Sequence, residues 1–260
     1  MLGDVNMAII KINGINLNVE IQGQGDPLIL IHGIGLDNTQ WKNEIDRLSK
    51  AFTTITLDCR GHGRSDKPDN YSLNDHIQDI LLLMDNFEFT TANLYGTSMG
   101  SYIAQGVAIS QPKRITKLIL TVPKSNGLTS SIQRLIHEHA KEFEGLNEQE
   151  KEMFFCKHMA YNPETLLKSK FLKSSLTPKE TAAANKALEA FDYRNELHNI
   201  TAKTLVISGK YDELNPPSDG KLCASLIPNA TYIEMQYSGH IPIIEEPETY
   251  NNIIDKFLRE

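Results

Sequence analysis

Cysteine is scarce, long apolar runs are missing and positive charge is in deficit, and each shortage removes a class of function. The 260 residues include three cysteines, Cys59, Cys156 and Cys223. Three thiols cannot all pair with one another, and no two share a Cys-x-x-Cys spacing, so a disulfide framework is not expected and a reducing compartment is. No apolar run reaches the roughly 18 residues that a membrane span requires. Residues Met1 to Asn6 carry an acid and no Lys or Arg, which does not read as a signal peptide. A cytoplasmic, soluble protein is therefore expected, with Met7 as an alternative start to Met1. Lys and Arg number 26 against 33 Asp and Glu, a net charge of −7. An acidic surface repels phosphate backbones, so nucleic acid is not an expected partner. There is no His-Glu-x-x-His, and His137 and His139 stand two apart, which places them on different helix faces. Neither a metal nor an organic cofactor is expected.

What is present is an ordinary globular composition, 40% hydrophobic and 23% charged, in a chain long enough for one large domain or one domain carrying an insertion. Ala8–Asn13 and Asn16–Ile21 flank Gly14 and read as a hairpin. Leu28–Ile31 is a short continuous apolar run, as a strand buried on both faces should be, and Thr53–Leu57, Ala92–Tyr95 and Leu118–Val122 read as further strands. Helical spacing lies between them: Trp41, Ile45 and Leu48, then Ile77, Ile80, Leu81 and Met84, then Ile103 and Val107. This alternation predicts a mostly parallel sheet with helices on both faces. After Pro123 the pattern breaks. From Lys124 to about Ile200 only helical segments appear, started by Asn162-Pro163-Glu164 and by a Thr177-to-Glu180 capping box that leads to Ala184, Leu188 and Phe191 on one face. Strands return at Thr204–Ser208 and Thr231–Gln236, and Pro247 opens a last helix. The expected organisation is a core of residues 1–123 and 201–260 with a helical insertion over 124–200.

The strongest chemical signal is Gly96-Thr97-Ser98-Met99-Gly100. A serine hydroxyl is a poor nucleophile unless it is exposed, aimed and beside a base. Gly-x-Ser-x-Gly supplies the aim by placing the serine in a sharp turn between a strand and a helix, where residues two away must be small. A chance match in a chain this long has odds of roughly one in ten at background glycine and serine frequencies, so the strand before it and the helix after it carry the argument. His240 follows the last predicted strand directly, and Asp212 lies just beyond Thr204–Ser208. Both stand at carboxyl ends of strands, where reactive groups of a parallel sheet gather. A carboxylate bonded to the imidazole fixes its tautomer and stabilises the imidazolium. Glu213, Asp219 and Asp58 are rival acids, although Asp58 precedes Arg60 and reads as a loop tether. The segment after Leu118–Val122, Pro123-Lys124-Ser125-Asn126, carries no carboxylate. The order Ser98, Asp212, His240 is that of one hydrolase class and not of the chymotrypsin or subtilisin classes. Charge developing on a substrate carbonyl needs donors, and the backbone N–H groups of Met99 and Ile34 are the candidates. His32 reads as structural.

With these residues in view the chain resembles the α/β-hydrolase superfamily along nearly its whole length. The matching pieces are His32-Gly33-Ile34-Gly35, Asp58-Cys59-Arg60-Gly61-His62-Gly63-Arg64-Ser65, Gly96-Thr97-Ser98-Met99-Gly100, Gly209-Lys210-Tyr211-Asp212 and Gly239-His240. The resemblance implies an eight-stranded, mostly parallel sheet and makes the helical insertion a lid placed over the site after the sixth strand. Within the superfamily the chain looks most like small lid-bearing esterases and enol-lactonases. Serine stands where haloalkane dehalogenases and epoxide hydrolases carry aspartate, and Leu36-Asp37-Asn38 stands where the carbon–carbon bond hydrolases usually show Gly-Pro-Gly. Ser101 replaces a glycine common in relatives.

The expected activity is hydrolysis of an ester, lactone or thioester of a small to medium apolar substrate. The same site could also serve a cofactor-free perhydrolase, lyase or acyltransferase, or a slow-turnover ligand-binding protein. The lid is expected to set specificity through a core of Ile132, Leu135, Ile136, Phe154, Leu166, Leu167, Phe171, Leu188 and Phe191, some of which roof the pocket.

Overall fold

The computed structural model describes residues 6–169 and 174–260. Phe171 and the Met1 start fall outside the described residues. The chain opens with an antiparallel hairpin, β1 (Asn6–Ile12) and β2 (Ile15–Gln22). Its two-residue turn has Asn13 at φ 50° and Gly14 at φ 78°, the left-handed pair that matches the twist of the flanking strands. There follow β3 (Asp26–Ile31), α1 (Lys42–Leu48), β4 (Phe52–Leu57), α2 (Leu73–Asn86), β5 (Ala92–Thr97), α3 (Met99–Ser110) and β6 (Ile115–Thr121). Among the described residues, five α-helices then run without an intervening strand: α4 (Ser131–Glu138), α5 (Ala140–Phe143), α6 (Glu148–Met159), α7 (Pro163–Lys168) and α8 (Pro178–Ala187). The chain closes with β7 (Lys203–Gly209), α9 (Pro217–Leu226), β8 (Ala230–Met235), α10 (Pro242–Glu245) and α11 (Pro247–Arg259).

The eight strands form one sheet in the order β1-β2-β4-β3-β5-β6-β7-β8. From β4 through β8 every pairing is parallel, and β2 joins β4 antiparallel. Both faces are covered, which is why β3 carries the unbroken apolar run Leu28–Ile31, while β4, β5 and β6 bury Thr54, Thr56, Asn93 and Thr121 beside their apolar residues. Ile29, Ile31, Leu94, Leu118, Leu120 and Val206 turn to the face packed by α2 and α3. Leu28, Leu30, Tyr95, Ile119, Leu205 and Ile207 turn to the opposite face, against Trp41 and against Tyr250, Ile254 and Phe257 of α11. The two sets alternate along each strand, as the pleat requires. A buried chain of hydroxyls crosses the second face: Tyr95 donates to Tyr250 at 2.6 Å, and Tyr250 lies 2.6 Å from Thr121 Oγ1.

The start signals after β6 act as read. Asn162 caps α7 through Glu164 N–H, and Thr177 and Glu180 form a reciprocal capping box on α8. One expectation is corrected. Phe191 does not continue the face of Ala184 and Leu188, because α8 ends at Ala187. Residues 190–193 instead pair with 125–127, through Ala190 N–H to Gly127 O, Gly127 N–H to Phe191 O and Tyr193 N–H to Ser125 O. Ala190 adopts φ 63° to make that turn, and the Phe191 ring settles 5.3 Å from Tyr102 of α3. A tertiary pairing outweighs a helical repeat whose own hydrogen bonds have run out.

Candidate active site

Ser98 sits between β5 and α3 with φ 50° and ψ −119°, a left-handed backbone that a serine holds only when its surroundings enforce it. The flanking glycines show how they do so. A Cβ on Gly96 would lie 2.2 Å from Gly100 O, and one on Gly100 would lie 2.0 Å from Ile31 O. Strand β5, helix α3 and strand β3 therefore meet at backbone contact around the serine. Gly33 passes close by, and a Cβ there would sit 3.6 Å from Ser98 Cβ.

The other two residues arrive from the far end of the sheet. His240 Nε2 lies 3.0 Å from Ser98 Oγ, and His240 Nδ1 lies 2.7 Å from Asp212 Oδ2. Asp212 is buried, and its second oxygen accepts the N–H groups of Leu214 and Asn215, each at 2.9 Å. One oxygen is thus committed to the loop and the other to the imidazole. Ile34 and Met99 both line the cavity beside Ser98. The N–H of Met99 lies in the first turn of α3, where the helix supplies it no acceptor.

The rival acids are engaged elsewhere. Asp58 accepts from Asn38 N–H, Arg64 N–H and Asn18 Nδ2, fastening the loops after β3 and β4. Glu213 pairs with His139 at 2.7 Å and with His158 at 3.1 Å. Asp219 is 4.0 Å from Arg134. His32 is fully buried, with Nδ1 on Gly33 O and Nε2 accepting Cys59 N–H, and burial lowers its pKa to about 4. It braces two loops as a neutral ring.

Several residues that the sequence reading passed over hold the site together. Asn215 reaches Tyr102 OH at 2.6 Å and Val122 O at 2.8 Å, and it accepts from Ser131 Oγ. Glu245 accepts Gly239 N–H at 2.7 Å and Asn162 N–H at 2.9 Å, tying the His240 loop to the turn between α6 and α7. The end of α6 contributes main-chain carbonyls: His158 O accepts Glu213 N–H, and Met159 O accepts His240 N–H at 2.6 Å. Asn215 alone left a local trace, since its three-residue spacing from an Asp suits an Asx turn. The others depend on contacts between segments 55 to 83 residues apart in the chain. His139, His158 and Glu213 also bring donor atoms within 4.8 Å of one another, a set able to hold a metal ion.

The cavity at Ser98 has two lobes that share Ile34, Ser98, Ile132 and Leu214. One, about 200 Å³, is apolar, lined by Leu36, Phe155, Met159, Leu166 and Ile241, and has His240 in its wall. The other, about 270 Å³, carries polar groups on Tyr102, Lys124, Ser131, Gln133 and Asn215.

The family model of the α/β-hydrolase fold matches residues 26–247. The chain belongs to that family. This α/β hydrolase is 26% identical over 252 residues to 3-oxoadipate enol-lactonase 1 of Acinetobacter baylyi, covering 95% of this chain and 94% of that one. Among solved structures it superposes on the enol-lactonase from Burkholderia xenovorans LB400 with a TM-score of 0.83, 26% identity, and 97% and 100% of the two chains covered. It matches a thermophilic esterase from Thermogutta terrifontis with a TM-score of 0.82, 27% identity and 98% of each chain. Among the described residues, no helix of this α/β hydrolase is long and apolar enough to cross a membrane.

Proposed function

We propose that the protein is a carboxylic ester hydrolase working through an acyl-enzyme on Ser98, with esters, lactones or thioesters of small to medium apolar molecules as substrates. One observation carries this reading: Ser98 Oγ is 3.0 Å from His240 Nε2, whose Nδ1 is 2.7 Å from Asp212, at the wall of a cavity. The names of the enol-lactonase and esterase relatives, proteins that act on carboxylic ester bonds, support it.

In this mechanism Asp212 accepts a hydrogen bond from His240 Nδ1–H, which keeps the proton on Nδ1 and leaves Nε2 free to accept. Ser98 Oγ bonds to the substrate carbonyl carbon as its proton passes to Nε2. The oxyanion rests on the N–H groups of Met99 and Ile34, where one donor is worth about 2.7–4 kcal/mol. Collapse breaks the bond to the leaving oxygen, which takes the proton back from Nε2. Water then attacks the acyl-enzyme, with His240 again holding the proton in transit, and the acid leaves. The segment 124–200 acts as the lid, since Ile132, Phe155, Met159 and Leu166 from it wall the apolar lobe.

The test is the initial rate on p-nitrophenyl esters of increasing acyl length, wild type beside Ser98→Ala. Hydrolysis by the wild type and its loss in Ser98→Ala are expected, with a preference for short chains given lobes of about 200 and 270 Å³. Equal hydrolysis by both proteins would overturn the reading.

A further inference from the structure

We propose that the polar lobe is a carboxylate subsite built on Lys124, and that the preferred substrate is an ester whose acyl chain ends in a carboxylate. This rests on the esterase reading above and names the substrate class for it.

Lys124 lies just beyond the carboxyl end of β6 and is only 9% exposed, and it lines the same lobe as Ser98. An ammonium offers three hydrogen bonds. Here one goes to Thr129 O at 3.1 Å, and the charge sits 5.8 Å from the centre of the Tyr102 ring. Among the described residues no carboxylate stands within 4.0 Å of it. Buried lysines are ordinarily paired, because an uncompensated charge away from water is expensive. Burial accordingly pulls the Lys124 pKa down to about 8, against a partial counterweight from Asp219.

The surroundings favour an anion of single charge. Arg134 and Asp219 lie nearby and offset one another, leaving the charge of Lys124 in excess. Glu189 lines the lobe as an exposed residue at its rim. The first turn of α4 faces the lobe through Ser131 and Ile132, and its positive end adds to the field. A carboxylate neutralises one ammonium. A phosphate dianion would leave surplus negative charge beside Asp219 and Glu189.

The chemistry of the serine reaction then decides which half of the substrate carries the charge. The leaving oxygen must take its proton from His240, so the leaving group occupies the lobe walled by His240, which is the apolar one. The acyl chain is left with the other lobe and runs towards Lys124.

The experiment compares monobenzyl glutarate with benzyl valerate, which have equal acyl length and differ in a terminal carboxylate against a methyl. Benzyl alcohol release is followed by chromatography for wild type, Ser98→Ala and Lys124→Met. The wild-type kcat/KM should favour the half-ester by about tenfold or more, the usual worth of a hydrogen bond to a charged group. In Lys124→Met that ratio should fall to one or below. A ratio insensitive to Lys124, or a wild type that prefers benzyl valerate, sinks the subsite while leaving the esterase reading intact. If neither ester shows Ser98-dependent turnover, the esterase reading falls. The subsite is then judged by calorimetry: glutarate binding to wild type and not to Lys124→Met keeps it, and no binding to wild type refutes it.

Discussion

Replacing Lys124 by Met should stabilise the protein at neutral pH and destabilise it at high pH, a reversal that a lysine held by an ion pair would not produce. Burial displaces the Lys124 pKa from 10.5 to about 8. At about 1.4 kcal/mol per tenfold change in proton affinity, this corresponds to about 3 kcal/mol, or about 2 kcal/mol once water in the cavity screens the charge. Methionine removes that cost and leaves Thr129 O without its donor, a loss of about 1 kcal/mol. The net gain at pH 7 is about 1 kcal/mol, or about 2–4 °C in melting temperature for a chain of this size. The lysine is protonated in both folded and unfolded states below pH 8, so its cost is full there. Between pH 8 and 10.5 the unfolded chain holds a proton that the folded chain lacks, and wild-type stability rises with pH. Above 10.5 the cost is gone and only the lost Thr129 bond remains, so the variant should melt about 2–4 °C below wild type. Thermal melts of both proteins at pH 7 and pH 10.5 test this. A variant less stable than wild type at pH 7, or a difference that does not change with pH, would refute the reasoning.

Asp212→Asn should lower kcat by about 10⁴ with the fold retained: its Oδ1 stays with Leu214 and Asn215, so an NH₂ group faces His240 Nδ1 and forces the proton onto Nε2. A pre-steady-state assay showing normal acylation would count against it. Gly100→Ala should cost about 3 kcal/mol or more, lowering the melting temperature by about 6–12 °C, because its Cβ would meet the backbone of Ile31 at 2.0 Å. A melt unchanged within 2 °C would contradict the contact. Glu245→Gln turns one acceptor into a donor facing a backbone N–H, so urea midpoints should show a loss of about 1–3 kcal/mol. Its kcat should fall as well, since the His240 loop loses a tether. Tyr95→Phe breaks the bond to Tyr250 in the core and should cost about 1–3 kcal/mol while leaving ester kinetics alone.

How much of this was legible in the sequence depends on the range of the forces involved. The central strands could be read because burial on both faces makes most of their positions apolar or threonine, and the hairpin because Gly14 marks its turn between two strand-like runs. The strained turn at Ser98 could be read because its glycines answer to backbone contacts that tolerate nothing larger. Phe191 was misplaced because its spacing continues a helical face after the helix has stopped, and only the partner segment at 125–127 reveals the stop. Glu245, Asn215 and the His139–Glu213–His158 cluster escaped for a related reason. Each acts by joining segments far apart in the chain, and a lone Glu or Asn in a polar stretch looks like any solvated residue. The division of the cavity into an apolar and a charged lobe is likewise a product of assembly, since Lys124 looks exposed until α3, α4 and residues 188–191 close around it.

The carbonyls of His158 and Met159 constrain how this enzyme can be rebuilt. They are main-chain acceptors for the loops bearing Asp212 and His240, so no side-chain change in the insertion can remove them, whereas a shift of α6 by one residue removes both together. An engineer who exchanged residues 124–200 for another hydrolase's to widen the pocket would also be replacing part of the support beneath the His240 loop. A graft that keeps the register of α6 at its last turn keeps His240 anchored as it is here, and one that ignores it starts from a histidine free to swing.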